Sequence, residues 1–593
     1  MSKCNGRIAV KIWKRLSKVT KRLDEDKKKK TEYVRRILNR HAGQTENINS
    51  MSQYNMEDRN SSNAICQFLW KTAFIVLKVC LLAVSSYLAY IGIRYSYYSS
   101  KDYNQAIYLV EDTIWIHILV FAGICLFAGL ALVIWRRVLM HDKGKKNIGM
   151  NGENLCKLVL CLSCILLMVV EYFFIREHPY YPSGDQLNTT AGAAYARQGN
   201  YLMFSKGGYI GLYENQKGLL FFYEILFTLF GDYCYDIAAK FHLILSIITL
   251  LSGYAFLKII MKKSFYRIIY CVMMVFCIPC IIYLPYIYGD LPAICFSMVL
   301  FWALAAYEQR SQKRYLVCGA VMSAFALLMR MHIWIVLIAV VIGLILSALQ
   351  KKNIRPIIAG LCIILTAVGA VKGVDKLYEY RSGYESGVGI PYILWICMGL
   401  QETDGNPGVY NRFQQTVFEQ CNFDQDIAEQ VGKEYIAERL KELKANPAYS
   451  RYFFTTKLKM QWTEPLFEGL YATNSFKDER EISDLIEDLY YGDFHDTIWN
   501  FANYYQSVVY LGFFSFLSIH VVKYRKAMSG SSEWIPLIAV FGGLLFSIIW
   551  ENQCRYVLSY FVYLVLYASI GIGFFAEGLF DFAAALFVDK NEC

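Results

Sequence analysis

The chain has 593 residues, of which 56% are hydrophobic, 16% aromatic and only 18% charged, with a formal net charge of +11. So much apolar side chain cannot be hidden in the cores of a soluble protein of this length, which excludes a globular cytoplasmic enzyme. The positive charge lies at the N-terminus and in short loops, and the tyrosines lie inside apolar runs rather than among exposed arginines, which excludes a nucleic-acid-binding surface.

Residues 1–65 are polar and basic, with Lys27, Lys28, Lys29 and Lys30 in a row, and read as a cytosolic, loosely ordered tail that orients the first span. A lipid-headgroup role for these lysines is the alternative. No cleavable signal peptide is expected, because the first long apolar run begins near Phe68 and is long enough to span. Runs of spanning length follow near 68–94, 113–135, 154–175, 236–259, 266–288, 291–307, 314–330, 331–349, 356–374, 504–522, 535–550 and 555–577, about twelve in all. As one helix, 314–350 would reach roughly 55 Å against a bilayer core of about 30 Å, so it should break into two spans near Arg330.

Positive-inside logic puts the basic loops after these runs in the cytosol, with both termini, provided that 219–230 does not cross. That stretch is short for a span and reads as an interfacial helix. The expected fold is an all-α polytopic membrane protein: a tail (1–65), a transmembrane core (66–374) with a first outer loop at 176–235, an extracytoplasmic domain (375–503), and final spans with a cytosolic end (504–593).

In the outer domain, Ile427, Val431, Tyr435, Ile436, Leu440 and Leu443 recur at helical spacing and end at Asn446-Pro447. A run from Tyr449 to Trp462 and an acidic helix over about 478–490 complete a mostly helical cap. The cysteines Cys161, Cys164, Cys271, Cys277, Cys280 and Cys362 fall in apolar runs, where a thiol behaves as a small hydrophobe. Neither a disulfide framework nor a metal site is expected.

Three sets of polar residues gather on the outer side. In the first loop, Ser183 and Gln186 have the spacing of a capping box, and Leu187, Ala191, Ala194 and Tyr195 form an apolar stripe. Asp185 therefore falls in the first turn of a helix, where free backbone N–H groups favour a carboxylate and a general base toward an acceptor hydroxyl can sit; acids also occupy first turns for stability alone. The cations Arg330, His332, Arg555, Lys217 and Lys457 suit a phosphate, or pair internally, Arg330 with Asp290 and Arg555 with Glu551. The acids Asp290, Glu464 and Glu551 lie at the outer boundary, and the spans read as nearly free of acids at depth, which argues against an ion-coupled carrier.

Several pieces recur in one order: Pro182-Ser183-Gly184-Asp185-Gln186, Tyr213-Glu214-Asn215-Gln216-Lys217-Gly218, Leu229-Phe230-Gly231-Asp232, Tyr288-Gly289-Asp290, Leu328-Met329-Arg330, Lys459-Met460-Gln461-Trp462-Thr463-Glu464-Pro465 and Glu551-Asn552-Gln553-Cys554-Arg555-Tyr556. In these the chain resembles the GT-C integral-membrane glycosyltransferases, the group of protein O-mannosyltransferases and lipid A aminoarabinose transferases, and more closely the surface-polysaccharide transferases of Gram-positive bacteria. The chain departs from that pattern at Glu214, where the family often has proline, and in having Asp185 without an adjacent acid.

The resemblance implies inverting transfer of a sugar from a polyprenyl-phosphate donor to a hydroxyl of a glycan, polysaccharide, lipid or protein outside a bacterial plasma membrane. Asp185 is then the base, Arg330, His332, Arg555 and Lys217 bind the donor phosphate, and Tyr213, Gln216, Asp290, Trp462, Glu464 and Glu551 contact the sugars. The lipid-linked sugar is a co-substrate, and no metal or resident cofactor is implied. A flippase of lipid-linked saccharides and a polysaccharide polymerase or ligase are the alternatives.

Overall fold

A computed structural model describes residues 45–99, 101, 107–141, 152–231, 234–261, 263–476, 482–523 and 531–588. The lysine run 27–30 and Asp232 lie outside them. The chain divides into two units, 1–72 and 73–593. The described part of the first unit, 45–72, is helical, whereas the sequence reading made residues up to 65 a loosely ordered tail.

Helix α1 (Thr45–Arg94) leads into an antiparallel hairpin, β1 (Tyr95–Ser99) and β2 (Ile107–Glu111), in register Tyr95 to Glu111. Then come α2 (Ile114–His141), α3 (Gly152–Glu177), the first-loop helices α4 (Gly184–Arg197), α5 (Tyr209–Leu212) and α6 (Lys217–Phe230), and α7 (Cys234–Ile260). The run 266–288 does not form one span. Pro279 cannot continue a helix, and the segment splits into α8 (Phe265–Val275) and α9 (Ile278–Ile282). Helices α10 (Asp290–Arg310), α11 (Lys313–Met329), α12 (Ile333–Lys351) and α13 (Arg355–Ser382) follow, with the expected break at Arg330.

The cap is α14 (Tyr392–Gly399), a hairpin of β3 (Glu402–Thr403) and β4 (Asn406–Pro407), α15 (Phe413–Gln420), α16 (Gln425–Ala445), α17 (Pro447–Thr463), α18 (Gly469–Thr473) and α19 (Asp484–Tyr491). The hairpin turns on Asp404 and Gly405, both at positive φ (51° and 78°), as a tight type I′ turn requires. Asp424 caps α16 through Ile427 N–H, and Asn446 caps α17 through Tyr449 N–H. The buried side of α16 is Ala428, Gly432 and Leu443; Ile427 and Leu440 of the expected stripe are exposed. The bundle closes with α20 (Asp493–Lys523), α21 (Ile535–Ile549) and α22 (Leu558–Val588).

About 81% of the structure is helical, which fixes an all-α polytopic membrane protein. Among the described residues nine helices are long and apolar enough to cross: α1 from Cys66, α2, α3, α7, α10, α12, α13, α21 with the turn before it, and α22. The sequence reading counted about twelve. Besides the split run 266–288, it included α11, which is 17 residues long, and 504–522, the C-terminal part of α20. Helix α22 is the axis, with 94% of its apolar stretch buried; α3 at 17% and α2 at 22% are peripheral. At about 1.5 Å per residue the 14 residues of α6 reach roughly 21 Å, less than a bilayer core of about 30 Å. This helix packs instead on α4, and Arg381 at the end of α13 holds it by two bonds to Glu224 at 2.5 and 2.9 Å.

Candidate functional site

The site forms where α11 stops and α12 starts. Two glycines let other segments close on that break. A Cβ on Gly289 would lie 2.2 Å from the Met329 carbonyl oxygen, and one on Gly218 would lie 2.3 Å from that of Leu328. The first contact brings Tyr288 beside Arg330, and the second brings Gln216 within 2.5 Å of the Tyr288 hydroxyl. Gly289→Ala is expected to destabilise the protein by about 1–3 kcal/mol, the usual cost of overpacking, read as a lower melting temperature in detergent.

The two guanidiniums share two rings. Arg330 lies 4.7 Å from the centre of Tyr288 and 5.7 Å from that of Tyr556; Arg555 lies 5.7 and 5.4 Å from the same two. Ring faces attract cations, so Tyr288 and Tyr556 brace two like charges that would otherwise repel. Arg330 Nε is 3.3 Å from Asp290, yet neither Asp290 oxygen, both buried, has a partner in hydrogen-bond geometry. The pairing there is one of charge. Arg555 donates to the Tyr286 hydroxyl at 2.5 Å and sits 3.8 Å from Asp185, a loose pair, while its buried Nε has no hydrogen-bond partner.

Asp185 is 48% exposed and Arg555 14%, so the acid forms the wet end of a charge gradient. It does stand in the first turn of α4, but the capping box is absent: Ser183 makes no side-chain cap bond, and Gln186 instead accepts from Tyr180. The expected stripe is divided, with Ala191 and Ala194 half-buried. Gln186, Thr189, Thr190 and Ala193 are buried, and Leu187 and Tyr195 are exposed. Tyr209 donates to Asp185 at 3.0 Å.

Of the other expected residues, Gln216, Asp290 and Glu551 belong to this group; Glu551 accepts from Tyr556 at 3.0 Å. Lys217 is engaged elsewhere. Its ammonium donates to Ser386 at 2.7 Å and lies 3.6 Å from Glu214, which accepts from the backbone N–H groups of Gly387 and Val388. These contacts tie the first loop to the α13–α14 connection. His332 touches Ser559 at 3.2 Å, and burial, aided by Arg330, pushes its pKa down to about 3, so it brings no charge to an anion. Lys457 is spent on the carbonyls of Gly399 and Ile548. Trp462 donates to Ser547 at 3.1 Å and stacks on Tyr560, a packing role. Glu464 accepts from Glu468 N–H and holds the turn before α18. Tyr213 contacts Gln415 and the ring of Tyr209.

Sequence reasoning missed Tyr209 and Tyr286, and gave Tyr288 and Tyr556, both within the quoted motifs, no role of their own. It also read the spans as nearly free of acids, whereas Glu171 of α3 is fully buried and accepts from Ser246 of α7 at 2.5 Å.

Burial raises the pKa of Glu551 from the ordinary 4.5 to about 7. The folded protein therefore keeps a proton that the unfolded chain has lost between about pH 4.5 and 7, and the contribution of Glu551 to stability falls as pH rises across that window. Lys457, lowered by burial to about 7, acts in the separate window from about 7 to 10.5, where stability rises with pH. Burial also raises Glu464, to about 8, so Glu551→Gln is expected to lessen rather than abolish the decline between pH 5 and 7 in a melting series, and a slope equal to wild type would contradict this assignment.

Among the described residues no group of three or more histidines, cysteines and acids could hold a metal ion. No family model, curated protein or solved structure matches the chain.

Proposed function

We propose that this protein is a GT-C-type glycosyltransferase of a bacterial plasma membrane. It moves a sugar from a polyprenyl-phosphate-linked donor to an acceptor hydroxyl on the outer face, with inversion at the anomeric carbon. The observation that carries this reading is the exposed carboxylate of Asp185 set 3.8 Å from the half-buried guanidinium of Arg555, whose Nε is left without a partner.

In this reading the donor phosphate sits on Arg555 and Arg330. The acceptor oxygen bonds to the anomeric carbon while its proton goes to Asp185. The bond from that carbon to the phosphate oxygen breaks, and its electron pair leaves with the polyprenyl phosphate. The charge growing on that phosphate meets two fixed cations in a water-poor setting, which is where such groups lower a barrier most. Asp290 and the rings of Tyr288 and Tyr556 keep the pair in place when no anion is bound.

A carrier of lipid-linked saccharides is the second reading, favoured by Glu171, because an acid inside a bundle often marks a transport path. Vesicles holding the protein and a labelled polyprenyl-phosphate sugar separate the two. A transferase releases polyprenyl phosphate and labels an acceptor; a carrier moves the intact lipid across without cleavage, and that result would sink the transferase reading.

A further inference from the structure

Asp185 has a second neighbourhood besides the arginines. Tyr209, which donates to it, has its ring 4.9 Å from that of Tyr213. Tyr213 lies 5.9 Å from Trp395, and Trp395 stacks on Trp550 at 5.9 Å with the planes 10° apart. These four half-buried rings come from α5, the residue after it, α14 and the residue after α21, so their continuity is not the stripe of one helix.

A neutral amide meets the strip. Gln415 accepts from the Tyr213 hydroxyl at 3.4 Å. Beside it in sequence, Gln414 is fully buried with neither of its amide atoms hydrogen-bonded. A buried polar group without a partner is costly and calls for an explanation, such as a polar ligand that satisfies it.

We propose that this strip is the acceptor subsite, and that the acceptor is a carbohydrate chain rather than a peptide or a lipid. The proposal rests on the transferase reading above. A pyranose has one face of C–H bonds and a rim of hydroxyls. It covers an aromatic face while its rim exchanges hydrogen bonds with amides, and both kinds of group occur here side by side. A lipid tail has no use for the amides. Because Tyr209 touches both Tyr213 and Asp185, a sugar resting on the first two rings brings a hydroxyl to the carboxylate.

The test uses the full chain in its own membrane, with the photoreactive residue p-benzoylphenylalanine in place of Trp395 and, as a control, in place of Leu545, which is 48% exposed on α21. After irradiation the adducts are identified by mass spectrometry. Carbohydrate at 395 and lipid at 545 is the expected result; peptide or lipid at 395, or no adduct above an unirradiated sample, overturns the proposal. Trp395→Ala should raise the KM for acceptor about tenfold with kcat nearly unchanged, and Trp395→Phe should restore it; a fall in kcat alone counts against the subsite. The same crosslink in an Asp185→Asn background separates this inference from the reading beneath it. Carbohydrate at 395 with an unchanged surface glycan sinks the transferase and leaves a glycan-binding strip. Loss of transfer with lipid or peptide at 395 sinks the strip alone.

Discussion

Asp185→Asn is expected to abolish sugar transfer while leaving the protein folded and in the membrane. The amide keeps the size of the side chain and can still accept from Tyr209, so little packing changes. It cannot take a proton. Losing a general base typically costs 10²–10⁴-fold in rate, so a residual activity of about 1% or less is expected. Mass spectrometry of the surface glycan from cells carrying the variant, with the protein level checked by immunoblot, provides the measurement. A glycan with its full sugar content would remove Asp185 from the reaction.

Arg330→Met should have the largest effect on stability. Asp290 is 2% exposed, and its charge is balanced by Arg330. Removing one partner of a buried pair leaves the other uncompensated, at a cost of about 3–5 kcal/mol. Replacing both, as Arg330→Met with Asp290→Leu, removes the stranded charge and should recover most of the lost melting temperature. The sequence left two roles for Arg330 open, internal pairing and phosphate contact, and this double variant distinguishes them. If Arg330 binds the donor phosphate, the recovered protein stays inactive. If it only pairs with Asp290, activity returns with the fold.

The helices of this fold were legible because a bilayer imposes a length, and the break at Arg330 follows from that length alone. The facing of the helices was harder to read. On α4 the stripe had a period but no assigned facing: Leu187 and Tyr195 are exposed, and Gln186, Thr189 and Thr190 are buried. At a lipid boundary an apolar stripe can face either the protein or the membrane, so periodicity separates two faces without saying which is inside. The split of 266–288 had a visible cause in Pro279, outweighed by the apolar composition around it.

Within the site, Asp185, Arg330 and Arg555 stood out because charges are rare at the ends of apolar runs. Tyr209 and Tyr286 did not, since the chain has 46 tyrosines and nothing local marks these two. Their roles depend on contacts between segments far apart in sequence, as in the bond from Arg555 to Tyr286.

That separation has a consequence for how the protein is made. Asp185 enters the membrane surface early, and Arg555 belongs to the segment that leads into the last helix, about 370 residues later. At ordinary synthesis speeds of 5–20 residues per second, the interval is roughly 20 to 70 s. Throughout it Asp185 lacks Arg555 opposite it, so under the transferase proposal the donor phosphate has at most one of its two cations, Arg330. On that reading the nascent protein is inert and becomes competent only when the segment carrying Arg555 is in place.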